Sequence, residues 1–233
     1  MPSKKAIDRA GALLRDSWRN DTDPDQRERQ DAVGLVSDFR AGFQYPLVKV
    51  NNGLRAFVRS EGGPIVVSQR LKRITTIIDK LDRHEHMKLT RMQDIGGCRA
   101  ILGSDTLVSG VLRRIRRNWD VRELYDYVSE PKSTGYRAIH VVVMRDDHRI
   151  EVQLRTGRQH AWAATVERLS GLEELTRLKD GVGPEALVGY YRVIGEIFAL
   201  QEQGIAVDEG IVTRYQQLRA ELQRTLPQTF PGG

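Results

Sequence analysis

The sequence predicts an α/β (α+β) fold in which helices flank one mixed β-sheet. Between residues 66 and 170, stretches with a helical spacing of apolar residues alternate with strand-like runs. This alternation is typical of a mixed sheet covered by helices and differs from the pattern of a pure sandwich or bundle. Before and after that segment, apolar residues recur at helical spacing. We therefore expect a sheet-containing core with helical extensions at both ends.

The N-terminal part is predicted to be helical. Residues 5–19, 27–43 and 47–58 carry apolar side chains at helical spacing. The turn formers NDTDP at 20–24 predict a break after the first helix. The SEGGP stretch at 60–64 predicts a loop, which separates this helical arm from the core.

The later elements follow from the same periodicities. Residues 66–81 have helical spacing and predict a single helix. The further predicted elements are a strand at 95–102, a helix at 106–117, strands at 121–128, 136–144 and 148–155, a helix from about residue 157 and two helices after residue 184. Together they predict three parts, which are an N-terminal arm (1–60), a core (61–175) and C-terminal helices (176–233).

Composition narrows the class of protein. The formal net charge is +6, and residues 59–120 hold 13 Lys/Arg against 7 Asp/Glu, so this segment carries the whole surplus. A local surplus of positive charge attracts phosphates, although a solvated basic face would look the same. The single cysteine, Cys98, excludes an internal disulfide framework. Without an apolar signal core or a run of roughly 18 apolar residues, we expect a cytoplasmic protein with no membrane partner.

A polar row is predicted on the strand at 150–155. Side chains alternate across a sheet, so Ile150, Val152 and Leu154 would face the core. Glu151, Gln153 and Arg155 would then line the opposite, open face, either as a reactive surface or as an ordinary solvent-facing strand side.

Asp94 is a second candidate carboxylate, at the start of the strand that begins DIGGCR. Glycines beside an acid at a strand start allow a ligand to approach the backbone closely. Two carboxylates on neighbouring strands suit Mg²⁺, which takes one or two protein carboxylates plus substrate phosphates. The alternative is that Asp94 only caps a turn.

Cations cluster on the helix predicted at 66–81. They are Arg70, Lys72, Arg73, Lys80 and Arg83. Because the chain contains no GxxxxGK loop and no kinase signature, a bound polyphosphate would have to be held by such side chains.

A loop rich in Pro, Ser and Gly, at residues 129–135, carries Lys132 and delivers Tyr136 to the next strand. A tyrosine at such a junction suits stacking on a base, worth about 1–3 kcal/mol. Tyr136 and His140 would equally suit internal packing in a hairpin.

The order of these motifs resembles the synthetase domain of the RelA/SpoT alarmone family. Four spaced motifs carry the resemblance over residues 66–170: RxK followed by a lysine, DIGGxR, PKSTGYRxIH and EVQLRT. The resemblance implies a nucleotidyltransferase-like sheet flanked by helices. The absence of an HD-type metal motif predicts a synthetase-only form.

The resemblance also implies roles for individual residues. ATP would be held by five cations, namely Arg70, Lys72, Lys80, Arg83 and Arg99. The acceptor side would consist of Tyr136, stacked on the acceptor base, with the polar side chains of Lys132, His140, Gln153 and Arg155 around it. Asp94 and Glu151 would bind Mg²⁺, and Asp94, Glu151 and Gln153 are the candidate catalytic residues, with Glu151 as the base for the acceptor 3′-hydroxyl.

The activity implied by the resemblance is transfer of pyrophosphate from ATP to a ribose 3′-hydroxyl. The family offers two acceptors, which are the 3′-terminal adenosine of tRNA in toxic members and GDP or GTP in alarmone synthetases. We expect tRNA ahead of the guanine nucleotide because Arg113, Arg114, Arg116 and Arg117 form a basic run. A non-catalytic RNA-binding module is the alternative from another class. The resemblance further allows an antitoxin protein as partner and a homo-oligomer.

Overall fold

A computed structural model describes residues 2–20, 25–170 and 178–230 of the chain. Within these residues, five strands form one sheet in the order β1–β2–β5–β4–β3. The strands are β1 (Val66–Leu71), β2 (Gly96–Leu102), β3 (Asp120–Asp126), β4 (Ile139–Arg145) and β5 (His148–Thr156). Strands β2 and β5 pair in parallel and the other neighbours are antiparallel, which confirms the predicted mixed sheet.

Helices precede, interrupt and follow the strands. They are α1 (Lys4–Asn20), α2 (Gln26–Ala41), α3 (Gln44–Ser60), α4 (Ile74–Arg83), α5 (Asp105–Asn118), α6 (Gly157–Leu169), α7 (Glu185–Glu202) and α8 (Glu209–Thr225). Among the described helices, none combines the length and the apolar character that crossing a membrane would require.

The two faces of the sheet differ in polarity because side chains alternate along each strand. On one face, Cys98, Val152 and Leu154 are buried in a hydrophobic cluster with side chains of α3 and α5. The other face carries the intervening residues of β2, β4 and β5, and its polar side chains are described below as the candidate site. The sheet therefore has one hydrophobic face and one polar face.

The N-terminal helices share the core of the sheet. Leu14 of α1, Val36 of α2 and Leu54 of α3 are buried in the same cluster as the inward-facing strand residues. The proposed division into an arm, a core and C-terminal helices stays a prediction. Its boundary at 175/176 and most of the predicted 20–24 turn lie outside the described residues.

The C-terminal helices build a second hydrophobic cluster. Trp162 of α6 is buried with Leu187 and Tyr191 of α7 and Leu222 of α8. The two helices predicted after residue 184 therefore contribute their apolar side chains to a core. This cluster also packs against Tyr136, which links it to the polar face of the sheet.

The helix predicted over residues 66–81 is wrong in its first half. Residues 66–71 form β1, which pairs antiparallel with β2 so that Arg70 lies opposite Gly97, and α4 begins only at Ile74. The free edge of β2 supplies backbone hydrogen-bond partners, and this tertiary pairing overrides a helical spacing of apolar residues. The strand predicted from residue 136 likewise begins later, at Ile139, so that Tyr136 lies in the loop before β4.

Candidate active site

Asp94 lies two residues before β2 and is held by two lysines from different elements. Lys72 Nζ lies 2.7 Å from Asp94 Oδ2, and Lys80 Nζ lies 2.9 Å from Asp94 Oδ1. Lys72 follows β1, and its backbone N–H donates to the carbonyl of Ile95 at 2.8 Å, whereas Lys80 projects from α4. The antiparallel pairing of β1 with β2 thus brings together a carboxylate and two cations that are far apart in the sequence.

The lysines dominate the electrostatics of Asp94. Burial by itself would raise the pKa of the carboxyl group, but the charges of Lys72 and Lys80 and their hydrogen bonds lower it to about 2. Asp94 is therefore an anion at neutral pH, and its side chain is 21 % exposed.

The cations that were predicted to share one helix lie on different elements, so this part of the prediction is wrong, whereas Arg99 lies on a strand as predicted. Arg70 is on β1, Lys72 is in the connection to α4, Lys80 and Arg83 are on α4, and Arg99 is on β2. Arg83 donates to Asp180 Oδ2 at 2.9 Å and to Asp79 Oδ2 at 3.1 Å, so its guanidinium is committed to ion pairs away from Asp94.

Arg99 lies in a crowded positive environment. Burial lowers the pKa of its guanidinium, and the charges of Arg155 and Arg70 lower it further, while Glu167 acts in the opposite direction. Its Nε has no hydrogen-bond partner among the described residues. Such a group of cations is suited to an anionic ligand such as a phosphate.

Glu151 belongs to a closed ring of five hydrogen-bonded side chains. Its Oε1 lies 3.0 Å from His140 Nδ1, and its Oε2 accepts from Gln153 Nε2 at 2.7 Å. His140 Nε2 lies 2.5 Å from the hydroxyl of Tyr136. Arg155 Nη2 closes the ring by donating to the Tyr136 hydroxyl and to Gln153 Oε1, both at 2.8 Å.

The donors in this ring all point toward Glu151. Because the Tyr136 hydroxyl accepts from Arg155, its own proton is available to His140 Nε2, and His140 Nδ1 then donates to Glu151. Burial would raise the pKa of Glu151, but the hydrogen bonds from His140 and Gln153 outweigh it and lower the pKa. The ring therefore holds Glu151 in place as a carboxylate.

Arg155 is buried, in contrast to the open position that strand alternation suggested. Only 2 % of it is exposed, and its Nε and Nη1 have no hydrogen-bond partner among the described residues. The sequence could not show this because Arg155 is covered by residues outside its own strand. Arg155 also lies under Tyr136, with Cζ 5.2 Å from the ring centroid.

Tyr136 is half-buried within a set of aromatic side chains. Its ring packs edge-on against Trp162, with centroids 5.9 Å apart, and against Tyr127 at 6.0 Å. Lys132 Nζ lies 4.7 Å from the Tyr127 ring centroid and 5.5 Å from that of Tyr136. Burial raises the pKa of Tyr136 to about 12, so that its hydroxyl remains protonated at neutral pH.

Asp94 and Glu151 act on the same region of the polar face. The charge of Asp94 raises the pKa of Glu151, although less than the hydrogen bonds lower it. Gly97 pairs with Glu151 in the parallel ladder, and a Cβ at Gly97 would meet only the Glu151 carbonyl oxygen, at 3.8 Å. Gly97 therefore leaves space on the polar face between Arg70 and Glu151.

This donor set fits Mg²⁺. Mg²⁺ is usually bound by one or two protein carboxylates together with water and substrate phosphates, and Asp94 and Glu151 would supply the carboxylates. Among the described residues, no group of three or more His, Cys, Asp or Glu side chains offers an all-protein metal cage.

The segment before Asp94 is anchored by residues that no sequence motif indicated. Gln93 donates to Glu123 on the edge strand β3, and Glu123 also accepts from Tyr125 and lies 3.6 Å from Arg149. Gln93 directly precedes a predicted site residue, but sequence proximity does not reveal a partner 30 residues away.

The basic run on α5 lies away from the candidate site. The buried side chains of α5, including Val111 and Ile115, pack into the cluster on the hydrophobic face of the sheet. Arg113, Arg116 and Arg117 are exposed, and Arg114 pairs with Glu61. These arginines therefore lie behind the sheet, on the side opposite Glu151.

Comparisons with known proteins agree with this fold. A family model described as "Region found in RelA / SpoT proteins" matches residues 69–170. An uncharacterized protein of Mycobacterium tuberculosis is 33 % identical over 112 residues, which is 46 % of this chain and 40 % of that protein. GTP pyrophosphokinase YjbM of Bacillus subtilis is 31 % identical over 116 residues, which is 43 % of this chain and 53 % of that protein.

A solved structure extends the similarity beyond the matched region. Small alarmone synthetase 1 from Bacillus subtilis, bound to its product pppGpp, has a TM-score of 0.59 and 25 % identity, with 76 % of this chain and 94 % of that chain covered. By contrast, the chain spans about half or less of the length of the two curated relatives named above. The comparisons therefore show that residues 69–170 of this chain are similar to the RelA/SpoT family.

Proposed function

We propose that the protein transfers pyrophosphate from ATP to the 3′-hydroxyl of a ribose and releases AMP. The observation that carries this proposal is a pair of differently held carboxylates, Asp94 and Glu151, whose charges interact at the polar face of the sheet. Asp94 is held by two cations, and Glu151 is held by hydrogen-bond donors that leave it ionised. The names of relatives, such as GTP pyrophosphokinase in Bacillus subtilis, support the same activity.

In this reaction the acceptor 3′-oxygen attacks the β-phosphorus of ATP, and the bond from the α,β-bridging oxygen to that phosphorus breaks. The bonding electrons leave with AMP. Because this chemistry needs positioning and charge neutralisation more than covalent catalysis, the side chains act mainly by binding and orienting.

Asp94 and Glu151 are the residues that would hold Mg²⁺, which supplies charge neutralisation at the phosphates when bound. Lys72 and Lys80 form ion pairs with Asp94 in the free protein, and they would bind phosphate oxygens of ATP in the complex. Arg70 and Arg99 lie on the neighbouring strands β1 and β2, on the same face of the sheet, and extend this binding region.

Glu151 is the group that would take the proton of the 3′-hydroxyl. Its pKa is lowered, so it is unprotonated and able to accept at neutral pH. His140 and Gln153 orient the carboxylate, and Tyr136 offers a ring beside it on which the acceptor base would stack.

For the acceptor, we propose GDP or GTP. The arginine run that favoured tRNA lies behind the sheet, and the edge strand β3 carries exposed Asp120 and Asp126 and half-buried Glu123 against one cation, Arg122. An acidic edge repels a phosphodiester chain more than it repels a nucleotide held at the centre of the sheet. The 3′-adenosine of tRNA remains the second candidate, supported by the exposed basic surface of α5.

The test is an acceptor competition. The protein is incubated with Mg²⁺ and ATP labelled on its γ-phosphate, and GDP, GTP or deacylated tRNA is offered separately. Label on the guanine nucleotide supports the proposal, whereas label on tRNA alone would show that the acceptor is wrong. The absence of label on every acceptor would support a non-catalytic RNA-binding module, against which the two intact carboxylates argue. An antitoxin partner, a homo-oligomer and a cytoplasmic location stay predictions.

A further inference from the structure

The loop that carries Lys132 and Tyr136, here called the acceptor loop (residues 132–136), lies directly on the backbone of α7. A Cβ built on Gly195 of α7 would be 2.6 Å from the carbonyl oxygen of Gly135 and 3.1 Å from its Cα. A Cβ on Gly135 would in turn be 3.0 Å from the Tyr191 carbonyl oxygen. The 2.6 Å distance is too short for a side-chain carbon, so the contact requires glycine at position 195. At Gly135 the contact is tight and φ is positive, which also favours glycine.

The acceptor loop is tightly turned and tied to the same helix. Gly135 has a φ of 88°, and its N–H donates to the Lys132 carbonyl at 2.8 Å. Arg192 of α7 donates from Nε to the Ser133 carbonyl at 2.7 Å. The Arg192 residue is exposed, so this hydrogen bond ties the loop to α7 without forming part of the hydrophobic core.

Tyr136 is positioned by the same helix through α6. Trp162 of α6 donates from Nε1 to the Tyr191 carbonyl at 2.8 Å, and this hydrogen bond holds its indole against α7. The Tyr136 ring then packs edge-on against that indole, with centroids 5.9 Å apart. The position of the acceptor-loop backbone and that of the Tyr136 side chain therefore both depend on α7.

We propose that α7 is part of the acceptor site, with Gly195 and Arg192 as positioning residues that set the affinity for the acceptor. Helix α7 lies outside residues 69–170, so the family match assigns it no role. The inference rests on the proposed function in taking the acceptor loop as the place where the acceptor binds. We expect the affinity for ATP to be insensitive to changes in α7, because the predicted ATP ligands lie on β1, α4, the connection between them, and β2.

The test compares Gly195→Ala with Gly189→Ala. Both glycines are on α7, but a Cβ on Gly189 would lie 3.5 Å from Leu218 Cδ2, which is an ordinary contact. A displacement of about 1 Å at a reacting group can cost on the order of 10²-fold in rate. We expect Gly195→Ala to lower kcat/KM for the acceptor at least about tenfold and to leave the KM for ATP within about twofold. Gly189→Ala should match the wild type in both.

Arg192→Ala is the second variant, in case Gly195→Ala fails to fold. Its side chain is exposed, so folding should be retained, and loss of its hydrogen bond should raise the acceptor KM about three- to tenfold. Arg214→Ala is its control, because Arg214 is an exposed arginine on α8 that pairs with Glu196. Equal increases in the KM for ATP and for the acceptor would overturn the inference.

Hydrogen exchange of a peptide covering the acceptor loop gives a readout that needs no activity. We expect faster exchange in Gly195→Ala and Arg192→Ala than in their controls. Unchanged exchange and unchanged acceptor KM in both variants would refute the role of α7. A wild-type protein that transfers no label, but whose loop exchange still responds to these changes, would reject the proposed function while retaining the role of α7 in holding the loop.

Discussion

Replacing Asp94 by asparagine should destabilise the fold by an amount that depends on pH. The pKa of Asp94 is lowered from 3.8 to about 2, and its side chain is only 21 % exposed. Since one pKa unit corresponds to about 1.4 kcal/mol, the ionised carboxylate contributes roughly 2 kcal/mol to the free energy of unfolding. An asparagine keeps the shape of the side chain but removes the charge that Lys72 and Lys80 contact.

The sign of the pH dependence follows from the direction of the shift. A carboxyl group whose pKa is lowered by folding contributes its full stabilisation above its unfolded pKa, near 3.8, and loses it as the pH falls through about 2. We therefore expect Asp94→Asn to be less stable than the wild type by roughly 2 kcal/mol at pH 7. The difference should shrink between about pH 4 and pH 2.

Urea unfolding at a series of pH values, followed by circular dichroism, measures this difference. The matched control is Asp146→Asn, because Asp146 pairs with Lys49 at 2.9 Å on the exposed surface and its positive φ of 48° suits asparagine. The control should show no comparable pH-dependent difference. Equal stability of Asp94→Asn and the wild type at pH 7, or a difference that does not change with pH, would refute the electrostatic account of Asp94.

Other perturbations test the second half of the site and the core. Glu151→Gln should reduce label transfer by about 10²- to 10⁴-fold with an unchanged circular dichroism spectrum, since it removes the proton acceptor, and retention of full activity would remove Glu151 from the mechanism. Tyr136→Phe should lower the free energy of unfolding by about 1–3 kcal/mol in urea titrations, because buried Arg155 loses a hydroxyl acceptor, and an unchanged stability would contradict the ring of hydrogen bonds. Burial raises the pKa of Cys98 to about 12, so a thiol reagent at pH 8 should label it only after unfolding in urea. Rapid labelling of the native protein would show that Cys98 is not buried.

Local periodicity was sufficient to predict an element and its buried face where that element presents one face to the core along its length. The alternation at residues 150–155 correctly placed Ile150, Val152 and Leu154 in the core and Glu151 on the polar face, because the strand period of two depends on backbone geometry alone. The amphipathic helices at both ends were predicted for the same reason, since each presents one apolar stripe to a core.

Local periodicity failed where a partner from elsewhere in the chain decides the conformation. Residues 66–71 have a helical spacing, yet they pair with the edge of β2. Arg155 follows the strand alternation correctly but is buried, since its cover comes from other elements. The arginine run of α5 indicated phosphate binding, but a charge count does not say on which face of the sheet a helix will pack.

The sequence by itself determined the mixed sheet with its flanking helices, the identity of the candidate site residues and the family that their order resembles. These depend on residue type, local period and spacing, all of which are properties of the linear chain. Only the tertiary structure decided that two lysines neutralise Asp94, that a hydrogen-bonded ring of four other side chains holds Glu151, and that α7 supports the acceptor loop. Each of these depends on contacts between residues distant in sequence, and such contacts are set by strand pairing and helix packing rather than by local pattern.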